Sequence, residues 1–111
     1  MAEVVSPLNR LTRWYLSQCD GDWEHSYGIS IETLDNPGWH MRIELTDTGL
    51  AGVPFEAVQR GVAQEYSSGP DLSRWLTCKV AEDVFIGVGG LGDLEEIIRV
   101  FVDWAESVEA A

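Results

Sequence analysis

Residues 29–45 read ISIETLDNPGWHMRIEL and predict a β-hairpin. Ile29 and Ile31 alternate with polar residues, Asp35–Gly38 has turn composition, and Met41 and Ile43 alternate again on the return. Both apolar sets share one face only when paired residue numbers sum to an even value, as for Ile31 with Met41 or with Ile43. The opposite face then carries the polar residues of both strands, namely Glu32, His40, Arg42 and Glu44.

The segments on either side of this hairpin predict two helices and further strands. Ser6-Pro7 is a helix start, and an apolar stripe of leucines and aromatic residues follows until Gly21. Residues 57–65 predict an edge strand, residues 76–88 a second hairpin with its turn at Glu82-Asp83, and Asp93 begins a C-terminal amphipathic helix. We therefore predict an α+β fold: an antiparallel β-meander of four to five strands with the N-terminal and C-terminal helices packed on one face.

The composition is that of a small acidic globular protein. The 111 residues predict a single domain, 1–111, and the formal charge of −12 repels nucleic acid and anionic membranes and attracts basic proteins. No cationic, apolar leader opens the sequence, so we expect a cytoplasmic protein with reduced cysteines. Asp103, Glu106 and Glu109 oppose the macrodipole in the last turns of the C-terminal helix, which suggests acid retained for a partner.

Residues 18–25 concentrate residue types that a generic loop seldom needs. Trp23 is flanked there by acidic residues and a histidine, namely Asp20, Asp22, Glu24 and His25. A half-exposed tryptophan ringed by carboxylates suits an anchor for a basic protein. The structural alternative is a helix-to-strand corner in which Asp20 or Asp22 bonds to backbone amides.

Three catalytic or ligand-binding interpretations fit the residues less well. The acidic spacing matches neither a calcium loop nor a zinc site, so we predict no metal and no cofactor. The glycine-rich segment Gly87–Gly92 precedes a helix, as a phosphate-binding loop would. Asp93, Glu95 and Glu96 at the start of that helix would, however, repel a phosphate. The glycines are better explained as positions where a bulky neighbour such as Trp75 can lie close to the strand. Cys78 should face the core, and a Cys19 nucleophile with His25 as base lacks the cations that would lower its pKa.

The sequence resembles the immunity protein 53 family of bacterial polymorphic-toxin systems. The matching segments are spread over most of the chain: Trp14-Tyr15, Gln18–His25, Tyr27–Ile29, Ile31–Trp39, Cys78–Val80, Gly89-Gly90, Leu94–Ile97 and Phe101–Trp104. Residues 47–73 depart from the family pattern by being longer and richer in glycine. The resemblance implies an intracellular protein that binds a cognate toxin, for instance a nuclease with a basic cleft, and blocks it without catalysis.

We therefore predict a toxin-binding surface and no catalytic residue. Its members combine the corner with the polar face of the hairpin: Asp20, Asp22, Trp23, Glu24, His25, Glu32 and Glu44. Two alternatives remain open at this point, a small thiol enzyme such as a rhodanese-like sulfurtransferase using Cys19, and a small-ligand binder with a pocket between helices and sheet.

Overall fold

The computed structural model describes residues 5–35, 37–61 and 75–110. In chain order, the helices and strands are α1 (Pro7–Gln18), α2 (Trp23–Ser26), β1 (Ile29–Thr33), β2 (Trp39–Glu44), β3 (Val58–Arg60), β4 (Leu76–Ala81), β5 (Val84–Gly89) and α3 (Leu94–Ala110), with a 3₁₀ turn, Leu91–Asp93, before α3. The strands form one antiparallel sheet, and the α+β prediction is confirmed.

The strand order is β1-β2-β5-β4-β3. The first hairpin pairs Ile31 with Met41, as the even-sum rule allows. The chain then crosses to the far edge of the sheet before returning through β4 and β5, so that β2 pairs with β5 rather than with β3. The predicted meander order is therefore wrong at the step from β2 to β3, and the open sheet has β1 and β3 as its two edges.

The predicted edge strand at residues 57–65 is present but short. It pairs with β4 over Val58–Arg60, and residues 62–65 lie outside the described part of the chain. The second hairpin turns at Glu82 and Asp83 as predicted. Both have positive φ, 53° and 62°, as a two-residue turn between right-twisted strands requires.

Arg10 of helix α1 forms ion pairs with two acidic residues of α3. The helix begins as predicted, with the Ser6 hydroxyl accepting the Asn9 amide at 3.1 Å. The Arg10 guanidinium lies 2.6 Å from an Asp103 carboxylate oxygen and 2.8 Å from one of Glu106. Asp103 and Glu106 thus have an ion-pair partner within the chain, which explains these two acids without another protein.

The core lies between the sheet and the helices. Met41, Ile43 and Phe85 are fully buried on one sheet face, and Phe101 of α3 packs edge-on against Phe85 and against Trp14 of α1, with ring centroids 5.0 and 4.9 Å apart. Both helices therefore cover the same face. The backbone of β5 approaches α3 closely at Gly87, opposite Ile97, which explains the glycines there without a phosphate.

Candidate interaction surface

The corner between α1 and β1 is built by its own carboxylates. Asp20 accepts the backbone amides of Asp22 and Trp23 at 2.9 and 3.0 Å. Glu24 reaches back to accept the amides of Asp20 and Gly21 at 3.0 and 2.9 Å. Gly21 has a φ of 95°, a conformation that side chains other than glycine rarely adopt. The two carboxylates thus satisfy the four amide groups that the tight corner would leave unbonded.

These hydrogen bonds also determine the protonation of the corner. The amides of Trp23 and Asp22 lower the pKa of Asp20 below its ordinary value, because they stabilise the charged form. The amides of Glu24 itself, Asp20 and Gly21 lower the pKa of Glu24 in the same way. Both groups therefore stay ionised to a lower pH than unbonded carboxylates would.

Trp23 is a core residue, and the prediction that it is half exposed is wrong. Its side chain is 4% exposed, and its indole Nε1 donates to the Thr46 carbonyl oxygen at 2.9 Å. Trp14, Tyr15 and Tyr27 surround it with ring centroids 6.1, 5.8 and 6.3 Å away. The short helix α2 directs the indole inward, where a large apolar ring stabilises most, while its charged neighbours point outward or back to the backbone.

The other predicted site residues remain on the surface. Asp22, His25 and Glu32 are exposed, and Glu44 is partly exposed with its carboxylate 3.8 Å from Arg42. A hollow of about 250 Å³ connects the end of the corner, Ser26 to Ser30, with Arg42 and Glu44. The structure thus brings Glu44 next to the corner, whereas Glu32 lies further along β1, opposite His40.

The two cysteines differ in accessibility. Cys78 is 1% exposed among core side chains, as predicted, and burial raises its thiol pKa to about 12, which keeps it protonated and unreactive. Cys19 is partly buried, and its Sγ donates to the Tyr15 carbonyl oxygen at 3.3 Å. In the described ranges, no three His, Cys, Asp or Glu side chains are grouped closely enough to hold a metal ion.

An apolar groove lies between α1 and β1; sequence reasoning left open a pocket between helices and sheet but did not locate it. Leu11, Thr12, Tyr15, Tyr27, Gly28 and Ile29 enclose about 410 Å³ there. The sequence pattern places Leu8 and Leu16 in the apolar stripe of α1, but they are 58% and 62% exposed. The signal was present in the sequence, because this stripe is wider than one buried helix face needs.

The fold and this surface define the class of the protein. It is a small, acidic α+β protein in which one sheet face is covered by two helices and an apolar groove borders the first strand. The chain belongs to the immunity protein 53 family, whose model matches residues 8–106. Comparisons with curated proteins and with solved structures gave no match. None of the helices in the described ranges is long and apolar enough to cross a membrane.

Proposed function

We propose that this protein is an antidote that binds a cognate bacterial toxin in the cytoplasm and blocks it, with no catalytic step of its own. Membership of an immunity protein family over residues 8–106 is the observation that carries the proposal. The excess of 19 acidic over 7 basic residues supports a toxin with a basic contact surface, such as the cleft of a nuclease.

The exposed acidic residues would serve mainly to attract the toxin. Asp22, Glu32 and Glu44 are the members of the predicted surface whose carboxylates the corner does not use. Solvent-exposed charges of this kind accelerate encounter more than they strengthen the final complex, and salt screens them over about 8 Å at physiological ionic strength. Association should therefore slow as salt rises, while dissociation changes little.

A co-expression experiment tests the proposal. A cognate toxin domain, sought among the genes next to this one, is expressed in a bacterial host with or without this protein, and growth is followed. We expect the toxin alone to stop growth and the pair to restore it, and we expect the purified pair to form a complex. A toxin that still kills in the presence of the folded protein, and does not bind it, would refute the proposal.

Charge variants then locate the attraction. Asp22→Lys should slow association several-fold and leave thermal stability unchanged, because the Asp22 side chain makes no hydrogen bond to the backbone of the corner. Glu56→Lys is the matched control: it makes the same change of charge on an exposed residue just before β3, at the opposite edge of the sheet from β1. Equal effects of the two variants would mean that net charge alone, and not this surface, attracts the toxin.

A further inference from the structure

Exposed apolar side chains are concentrated around the groove beside β1. Four large apolar side chains are exposed in the described part of the chain, and three of them, Leu8, Leu16 and Ile31, lie on α1 and β1, the two elements that border this groove. Leu8 and Leu16 lie one helical turn before and after Thr12, and Ile31 follows Ile29 by two residues on the same strand face. Such clustering marks a surface that something else covers, since single exposed leucines would be scattered.

The strand that borders this groove offers hydrogen-bonding groups along its free edge. The Glu44 amide donates to the Gly28 carbonyl, and the Leu34 amide donates to the Gly38 carbonyl. In an antiparallel pair, bonded and non-bonded residues alternate, so residues 28, 30, 32 and 34 face β2. Ile29, Ile31 and Thr33 therefore direct their N–H and C=O groups away from the sheet, where β1 is the edge strand.

The occupant that fits both features is an extended polypeptide. A small apolar ligand would fill the groove but leave the strand edge unbonded. A peptide strand would bond to residues 29, 31 and 33 through its backbone and place alternate side chains between β1 and α1.

The charges around the groove determine which polypeptide fits. On α1, Arg10 is bonded to Asp103 and Glu106 and therefore faces α3 rather than the groove, and Arg13 follows three residues later, toward the same side of the helix. Glu24 lies on α2, three residues before the groove residue Tyr27, and Glu32 is exposed on β1 itself. A second copy of this chain would bring another charge of −12 to the same edge, so a basic partner fits and self-pairing does not.

We propose that an extended segment of the toxin, with apolar side chains at alternate positions and lysine or arginine beside them, pairs with β1 as a further strand and inserts its apolar side chains between β1 and α1. The partner named here rests on the proposed function. Contacts in the groove would hold the bound toxin segment, whereas the exposed carboxylates would accelerate its association.

Two variants test the groove and the strand edge separately. Ile31→Pro removes an outward N–H that no ladder bond of the sheet uses, and proline is tolerated at such edge positions. Ile31→Ala is its control, because it shortens the side chain and keeps the N–H. Leu16→Lys places a charge on α1 beside the groove residue Thr12. Leu91→Lys makes the same change on the fourth exposed apolar residue, which lies in the 3₁₀ turn before α3 and is not among the residues that line the groove.

The measurement is the Kd of each variant, by calorimetry, for the toxin domain that the co-expression experiment identifies, with thermal midpoints recorded alongside. We expect Ile31→Pro and Leu16→Lys to weaken binding by about tenfold or more, Ile31→Ala by less than Ile31→Pro, and Leu91→Lys not at all. In the complex, the Ile31 amide should exchange hydrogen more slowly than in the free protein. This last readout needs no variant and holds even if Ile31→Pro fails to fold.

The possible failures are distinguishable. If the wild-type protein binds and neutralises the toxin, but Leu16→Lys binds equally well and the Ile31 amide gains no protection, the groove proposal is overturned and the function stands. If the wild-type protein neither binds nor neutralises the toxin, the proposed function falls, and this inference falls with it. Sedimentation of the protein alone should show a monomer; a dimer that Ile31→Pro dissociates would assign the edge to self-pairing.

Discussion

Gly87→Ala should destabilise the fold, because the new methyl group has no space. A Cβ at this position would lie 2.3 Å from Cγ2 of Ile97 on α3, whereas unstrained carbon atoms pack about 3.5–4.0 Å apart. Ile97 is fully buried, so its side chain cannot swing into solvent to relieve the contact. The Phe85 ring and the Cys78 Sγ would lie at ordinary contact distances from the new Cβ, 3.4 and 3.6 Å, so they leave no open space for the methyl group to move into.

The expected cost follows from that geometry. To restore a normal carbon–carbon contact, either α3 moves away from β5 by more than about 1 Å, or Ile97 leaves its preferred rotamer. Overpacking of this kind costs about 1–3 kcal/mol. Each kcal/mol should lower the Tm by about 4 °C in a chain of this size.

Urea denaturation of a double-mutant cycle measures the effect. Ile97→Ala alone should cost about 2–5 kcal/mol, because it leaves a cavity. In that background, Gly87→Ala should cost less than about 1 kcal/mol, since the opposing methyl group is gone. Gly28→Ala is the control: a Cβ there meets nothing within 4 Å, and stability should stay within about 0.5 kcal/mol. An undiminished cost of Gly87→Ala in the Ile97→Ala background would refute the steric explanation, as would a stable single variant.

Two further predictions concern the corner and the thiols. Asp20→Asn should lower the Tm at pH 7, whereas Asp22→Asn should not, because of these two carboxylates only that of Asp20 bonds to the backbone of the corner. The pKa values of Asp20 and Glu24 are lowered in the folded protein, so their charged forms contribute stability at neutral pH that is lost as pH falls through the folded-state pKa. The loss of Tm in Asp20→Asn should therefore be smaller at pH 3 than at pH 7. Circular dichroism melts at the two pH values check this, and equal effects of the two variants would contradict it. Cys78 should resist iodoacetamide at pH 8 until the protein unfolds, because it is buried with a pKa of about 12, while Cys19 reacts in the native state; peptide mass spectrometry that finds both labelled at one rate would contradict this.

The hairpins were predictable because their signals are local. Alternation in residues 29–45 fixes which side chains share a face, and a slip of one residue would expose the whole apolar set. The turn at Glu82-Asp83 was equally readable from the length of the two strands that it joins. Strand order was not predictable, because alternation says nothing about which neighbour a strand finds. The three residues of β3 are too few to carry a signal of their own.

The corner shows why the site was harder to predict than the fold. The acidic neighbours of Trp23 suggested that its side chain is exposed to solvent, but the charge of flanking residues does not determine where a side chain points. Asp20 and Glu24 bond to backbone amides, which lets a charged sequence wrap a buried indole. On α1 the prediction failed in the other direction, because two residues expected in the apolar stripe are exposed. Leu8 and Leu16 are apolar, but Leu11 and Trp14 already fill the buried face of the helix.

The structure also determines which variants can report on toxin binding. Trp23 packs between Tyr15 and Tyr27, and both tyrosines line the groove, so a change that disturbs the corner also deforms the groove. Loss of binding in an Asp20 or Glu24 variant would therefore not show that these carboxylates contact the toxin. Leu16 and Ile31 take no part in the corner and are 62% and 39% exposed, so their substitution leaves the corner intact. A toxin that distinguishes Leu16→Lys from Leu91→Lys must contact the groove itself.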